Sequence, residues 1–261
     1  MDLGIEGRTY LITGGSAGIG LSAADRLVRE GANVVTCARG ADALAEAMLG
    51  IDPTGQRAVG LPLDMTRPDA AQTLYDHATS RFGRVDGIVN NVGTSNRGAF
   101  SDLTRDDWQS DLDLKLFSAV ELVRAALPEF TERGAGSIIN VLSIGGKQPG
   151  AGSMPTSVTR GAGLALTKAM SKELAPHNIR VNALCVGIIR SQQHDRRWKE
   201  QAPELTRDEW YSHLAEQHAI PLGRAGEPDE MATMIALLLS DASGFTTGTA
   251  INVDGGQAAV L

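Results

Sequence analysis

Short apolar runs recur along the chain with room for one helix between successive runs. "TYLIT" (9–13), "NVVTC" (33–37), "AVGLPLD" (58–64), "GIVNN" (87–91), "SIINVLS" (137–143), "RVNALC" (180–185) and "TAINVD" (249–254) are apolar at most positions instead of alternate ones. Runs of that kind predict parallel strands covered on both faces. Between them the period changes. In "GLSAADRLVREG" (20–31) and "DDWQSDLDLKLFSAVELVRAALPEF" (106–130) the apolar residues return at helical spacing. Strands alternating with helices of crossover length predict βαβ units repeated into a doubly wound, mainly parallel α/β sheet with helices on both faces. No linker tract or internal repeat breaks the pattern. Only the stretch 190–228, polar and aromatic by turns, departs from it, and residues 190–222 are long enough to form a lid over a site at the strand ends.

Composition narrows the class. The 261 residues suit a single domain, 1–261, with a sizeable core, and 42% hydrophobic residues with 30 glycines and 10 prolines give no argument for disorder. A formal charge of −7 supplies no basic field for nucleic acid. The opening "MDLGIEGRTYLITGG" has no signal-peptide pattern and no apolar run reaches membrane-spanning length, so a soluble cytoplasmic protein is expected. Cys37 and Cys185 lie in apolar runs and read as buried free thiols of a reducing compartment. The histidines show no metal-ligand spacing and the two cysteines are far apart, so no metal site is expected.

Candidate chemistry begins at "TGGSAGIG" (13–20), which leaves a strand and opens a helix. Gly14, Gly18 and Gly20 allow a tight turn and a close backbone approach to a pyrophosphate, whose charge the helix amides can accept. Taken alone, the spacing also suits a tight turn with no ligand. "CARG" closes the second run, where Arg39 can pair with a ribose 2′-phosphate, favouring NADP(H) over NAD(H), or lie solvated. Asp64, with Met65 beside it, follows the third run and reads either as an adenine contact or as a turn cap.

Over essentially its whole length the chain resembles the short-chain dehydrogenase/reductase family. The resemblance rests on "TGGSAGIG", "NNVG" (90–93), "NVLS" (140–143), "KELAPHNIRVNALCVG" (172–187) and "TGTAINVDGG" (247–256) in order. It implies a Rossmann-type sheet of seven strands, a nicotinamide cofactor, and a homotetramer or homodimer acting on a small molecule. By the same resemblance Ser16 and Ile19 would hold the pyrophosphate, Asn91 and Gly93 would support the cofactor, and Gly187, Ile189 and Ser191 would contact the nicotinamide amide. Val186 stands where the family usually has proline, and Ser191 where it usually has threonine.

The catalytic positions implied by the resemblance depart further. The family generally uses an asparagine, a serine, a tyrosine and a lysine, the last two four residues apart on one helix face. Ser143 matches the serine, whereas Thr156, Arg160 and Lys115 fall at the tyrosine, lysine and asparagine positions. A phenol titrates near about 10 and a neighbouring cation lowers it, while an aliphatic hydroxyl is a far weaker acid. Arg160 can donate to ribose hydroxyls but cannot relay a proton. Lys115 shares a helical ridge with Ala119, Leu122 and Ala126, which places it at the flank of the apolar face, either snorkelling outward or pointing into the site. In the second case it can act as acid or base and, with Arg160, favour an anionic oxygen. Lys147 reads as a lysine at the site mouth or in solvent, and 195–198 as substrate contacts or a charged surface helix.

Three functions fit these residues. An NADP(H)-dependent oxidoreductase would transfer a hydride between NADP(H) and a small carbonyl/hydroxyl or enoyl compound with rearranged acid–base groups. A nucleotide-binding partner subunit or sensor would keep the cofactor loop without catalysis. A lyase or isomerase would use the pocket without net redox. Ser143, the lid and the intact scaffold favour the first.

Overall fold

The computed structural model describes residues 2–261, and the seven apolar runs are the seven strands of one parallel sheet. In chain order the elements are β1 (Thr9–Thr13), α1 (Gly18–Arg29), β2 (Asn33–Ala38), α2 (Ala41–Ile51), β3 (Ala58–Pro62), α3 (Ala70–Phe82) and β4 (Gly87–Asn90). They continue with β5 (Arg97–Gly98), α4 (Arg105–Leu112), a π turn (Asp113–Phe117), α5 (Ser118–Arg133), β6 (Gly136–Ser143), β7 (Met154–Pro155) and α6 (Thr156–Leu174). Last come β8 (Ile179–Val186), α7 (Gln192–Gln201), α8 (Arg207–Gln217), α9 (Pro228–Leu239) and β9 (Ala250–Val253). The large sheet runs β3-β2-β1-β4-β6-β8-β9. Connections leave β1 toward β2 on one side and reach β4 on the other, which opens a crevice above the carboxyl ends of β1 and β4.

The strands are apolar throughout because each feeds two cores. Tyr10 and Ile12 of β1 join a cluster with Ala23 and Leu27 of α1 and Met231 and Ile235 of α9. Leu11, between them, points the other way, to Leu74 of α3 and Leu122 and Phe130 of α5. Ile88 and Val89 of β4, and Ile138 and Ile139 of β6, divide in the same manner. Each such side chain taken from water contributes about 1.5–3 kcal/mol, so a register slip would cost both layers.

Over 106–130, where the spacing predicts a helix, three helical segments follow one another without a break. Thr104 and Asp107 form a capping box that starts α4, and the π turn then carries Lys115 in a wider helical loop before α5 resumes. Lys115 is buried along with Ala119, Leu122 and Ala126, so it does not snorkel. The ribbon of β5 and β7 pairs Arg97 with Pro155 and Gly98 with Met154; two residues are too few for a periodic signal. Residues 192–217 fold as the pair α7 and α8 around Ala202, Trp210, Tyr211 and Leu214. The Tyr211 hydroxyl ties that pair to the end of β8, accepting from the Ser191 amide at 3.0 Å and donating to Asp195 at 2.9 Å. Among the described residues no helix is long and apolar enough to cross a membrane. Cys37 and Cys185 are buried and unpaired.

Candidate active site

A pocket of about 1080 Å³ lies over the carboxyl ends of the strands. At one end its wall is main chain. Gly14 (φ +77°) and Gly18 (φ +56°) adopt left-handed backbone, which turns β1 into α1. Gly20 lies behind this wall, not on it: a Cβ there would come within 2.2 Å of the Gly14 carbonyl, so only glycine lets α1 start so close to the loop. The N-cap Ala17 has no capping side chain and the first turn of α1 has no acid, leaving its amides free for an anion. Asn91 braces the loop from β4, its Nδ2 donating to Thr13 O at 2.9 Å and Gly14 O at 3.1 Å. Ser16 and Ile19 line the pocket beside this turn.

Arg39, at the end of β2, is exposed on the same wall as Asp64 and Met65. Asp64 caps its own turn, accepting from Thr66 N at 3.0 Å and Oγ1 at 2.9 Å. Those bonds first, and Arg39 and Arg67 after them, hold its carboxyl below the usual range. Gly93, Gly187, Ile189 and Ser191 complete the wall from the ends of β4 and β8.

At the other end the wall is made of side chains. Ser143, Thr156 and Arg160 line the pocket together. The Ser143 hydroxyl accepts the Gly145 amide at 3.1 Å and donates to no group among the described residues. Thr156 sits at the first turn of α6, where its Oγ1 donates to Asn96 O at 2.6 Å and accepts from Asn96 N at 2.9 Å and Lys115 Nζ at 2.8 Å. Arg160 donates to Val141 O at 3.0 Å, and burial pushes its guanidinium down to about 10, still charged near neutrality. A Cβ on Gly93 would meet the Arg160 Nη2 at 2.6 Å, so the glycine makes space for the guanidinium.

Lys115, placed in the site by its sequence position, has its ammonium one layer behind the wall. Its side chain is 1% exposed, ion-paired with Asp111, whose other oxygen accepts from Thr159 Oγ1 at 2.6 Å. Burial, opposed by Asp111 and reinforced by Arg160 and Arg97, brings the ammonium down to about 8. Sequence reasoning missed Asp111, Thr159 and Asn96. The i,i+4 spacing of Asp111 and Lys115 was the one available signal.

Lys147 is engaged elsewhere, donating to Ala250 O at 2.8 Å and Asn252 Oδ1 at 2.6 Å, because β9 ends beside its loop. Of residues 195–198, Asp195 pairs with Arg207 and Trp198 donates to Leu205 O, both within the helix pair. Arg196 and Arg197 line the pocket, as do His194, Trp210 and His218.

A parallel sheet with its pocket at the topological switch point, entered by a glycine loop and a helix N-terminus, defines a Rossmann-type α/β class. The enoyl-(acyl carrier protein) reductase family model matches residues 14–258. The 3-oxoacyl-(acyl-carrier-protein) reductase FabG of Thermotoga maritima is 31% identical over 97% of this chain and 98% of its own. The NADPH-bound short-chain oxidoreductase of Pseudomonas aeruginosa PAO1 containing an atypical catalytic center superposes with TM-score 0.90 at 32% identity, over 97% of this chain and 98% of that one. L-sorbose reductase of Gluconobacter frateurii, complexed with NADPH and L-sorbose, gives 0.94 at 32% over all of both chains. The chain belongs to the short-chain dehydrogenase/reductase family and is an oxidoreductase of that type.

Proposed function

We propose that this protein is an NADP(H)-dependent reductase of a small carbonyl or enoyl compound whose proton-transfer groups differ from the family's usual set. The observation that carries the reading is one pocket uniting the glycine loop with Ser143, Thr156 and Arg160. The cradle fits a dinucleotide: the α1 amides are uncapped, Gly14 and Gly18 keep the approach open, and Arg39 stands exposed for a 2′-phosphate. The NADPH held by two similar structures supports the same choice.

Bound NADPH supplies a hydride, and reduction at a carbonyl then needs one proton on oxygen. Thr156 and Arg160, four residues apart on α6, take the places of tyrosine and lysine in this reading. Threonine alone is too weak an acid, but Lys115 Nζ donates to its Oγ1. A proton leaving Thr156 for the substrate oxygen is replaced from Lys115, with Asp111 holding the ammonium in line. To donate, the threonine hydroxyl must turn from Asn96 O. Ser143 would offer a second hydrogen bond to the same oxygen, and the remaining N–H groups of Arg160, which lines the same pocket, would hold the ribose or the substrate.

Calorimetric titration with NADPH and NADH tests the reading, followed by turnover of carbonyl and enoyl compounds. NADPH is expected to bind more tightly, and Arg39→Gln to erase the preference, a change of about tenfold or more. Thr156→Val is expected to keep NADPH binding and lower turnover by a factor of about 10²–10⁴. Failure of both nucleotides to bind would refute the assignment.

A further inference from the structure

The chain carries a formal charge of −7, yet the pocket over the strand ends is lined by Arg39, Arg97, Arg160, Arg196 and Arg197 against a single acid, Asp64. Arg39 and Asp64 face each other at the glycine-loop end. Beyond Ser143, then, four arginines, His194 and His218 line the wall and no carboxylate does. They arrive from separate segments: Arg97 on β5, Arg160 on α6, Arg196 and Arg197 on α7, His218 after α8. The convergence is tertiary and is not the charged face of one helix.

None of the four arginines reaches an Asp or Glu among the described residues, because the nearby acids are taken. Asp111 is paired with Lys115, and Asp195 with Arg207 and Tyr211. Arg160 uses one N–H on Val141 O, and Arg196 its Nε on Gln192 O. The like charges act on one another. Burial first, then Arg197, holds the Arg97 guanidinium below its usual range. Burial, then Arg197, Arg97 and His218, brings His194 down to about 4, against a smaller pull from Asp195. Ser95 Oγ, His194 Nδ1 and Trp210 Nε1, on residues lining this end, are buried with no hydrogen-bond partner. A concave wall of one sign concentrates an oppositely charged ligand, and planar guanidinium forks suit carboxylate or phosphate oxygens. The α1 amides and Arg39 stand at the far end for the cofactor's own phosphates.

We propose that the substrate of this oxidoreductase bears a carboxylate or phosphate group, held by Arg97 and Arg197 at the mouth beside the reacting end. This rests on the NADP(H)-dependent reading above and adds the substrate class. The anionic group is not consumed; it anchors one end of the molecule while the carbonyl or enoyl end lies against Ser143 and Thr156.

With the protein saturated in NADP⁺, so that cofactor phosphate sites are filled, succinate, inorganic phosphate and uncharged succinamide are titrated by calorimetry. Intrinsic tryptophan fluorescence, to which Trp210 of this wall contributes, serves as a second readout. Succinate or phosphate is expected to bind saturably and succinamide to bind at least about tenfold more weakly. The Arg97→Gln/Arg197→Gln variant should lose that discrimination while keeping its affinity for NADPH. A preference for succinate assigns a carboxylate, and a preference for phosphate assigns a phosphate ester. Absence of saturable anion binding, equal binding of succinamide, or unchanged binding in the double variant would overturn the proposal. Should NADPH itself not bind, the cofactor reading falls, and the same titration on the free protein decides the anion site separately.

Discussion

Between Gly14 and Asp64 the pocket wall is mostly main chain and turn, with Arg39 and Asp64 as its charges, whereas between Ser143 and His218 it is side chain and unbalanced positive charge. The first region is shaped by left-handed glycines and an uncapped helix start. Its shape lies in where backbone can go: a side chain collides with neighbouring atoms at Gly20 and is strained by left-handed backbone at Gly14 and Gly18. The second is shaped by a buried ion pair behind Thr156 and unpaired arginines in front of it. Its specificity lies in which charges are neutralised, so residues can change while the scaffold stands. The contrast would let one end keep its glycine loop while the proton-transfer groups proposed at the other end vary.

The sharpest break should come at the buried pair. Asp111→Ala leaves the Lys115 ammonium enclosed without its carboxylate and is expected to cost about 3–5 kcal/mol in urea unfolding. Replacing both partners, as Asp111→Leu with Lys115→Met, should recover most of that loss while leaving Thr156 with the Asn96 amide as its one donor. A double variant as unstable as the single would show that the pair does more than neutralise itself.

A smaller effect on stability and a larger one on ligand is expected at the glycine end. Gly20→Val puts a side chain where Gly14 O lies 2.2 Å and Asn91 Nδ2 2.7 Å from the Cβ position. The loop must shift, and NADPH affinity should fall by about a hundredfold or more, near 2.8 kcal/mol by calorimetry. Retained affinity would mean that the loop can open without losing its grip.

The mildest effect concerns acid. His194 takes a proton near 6.5 when unfolded but only near 4 in place, through burial and then the adjacent arginines. The unfolded chain therefore binds more protons in that interval, so this contribution is complete above pH 6.5 and is lost as pH falls toward 4. Hydrogen exchange in α7 and α8 should rise over the same interval before exchange in the sheet does, and His194→Gln should weaken the dependence, leaving the part carried by His218, which burial and Arg97 also hold down.

Legibility followed the same division. All seven sheet strands were readable because double burial leaves a continuous apolar run, and the glycine loop because turn geometry restricts residue type. The partners of Lys115 were not. Asp111 lies among other acids in "DDWQSDLD", and nothing in that composition says which one turns inward. The π turn alters helical phase without a residue signature, and the Asn96 clamp on Thr156 depends on a ribbon of two residues per strand. The arginine wall draws on β5, α6 and α7, whose approach only the tertiary fold sets.

The bracing of Thr13 and Gly14 by the Asn91 amide has a kinetic consequence. A loop already held in shape need not be ordered when a ligand arrives, so little conformational entropy is spent at encounter. Association should then be governed by diffusion and orientation, and differences in affinity between cofactors or loop variants should appear mainly in residence time.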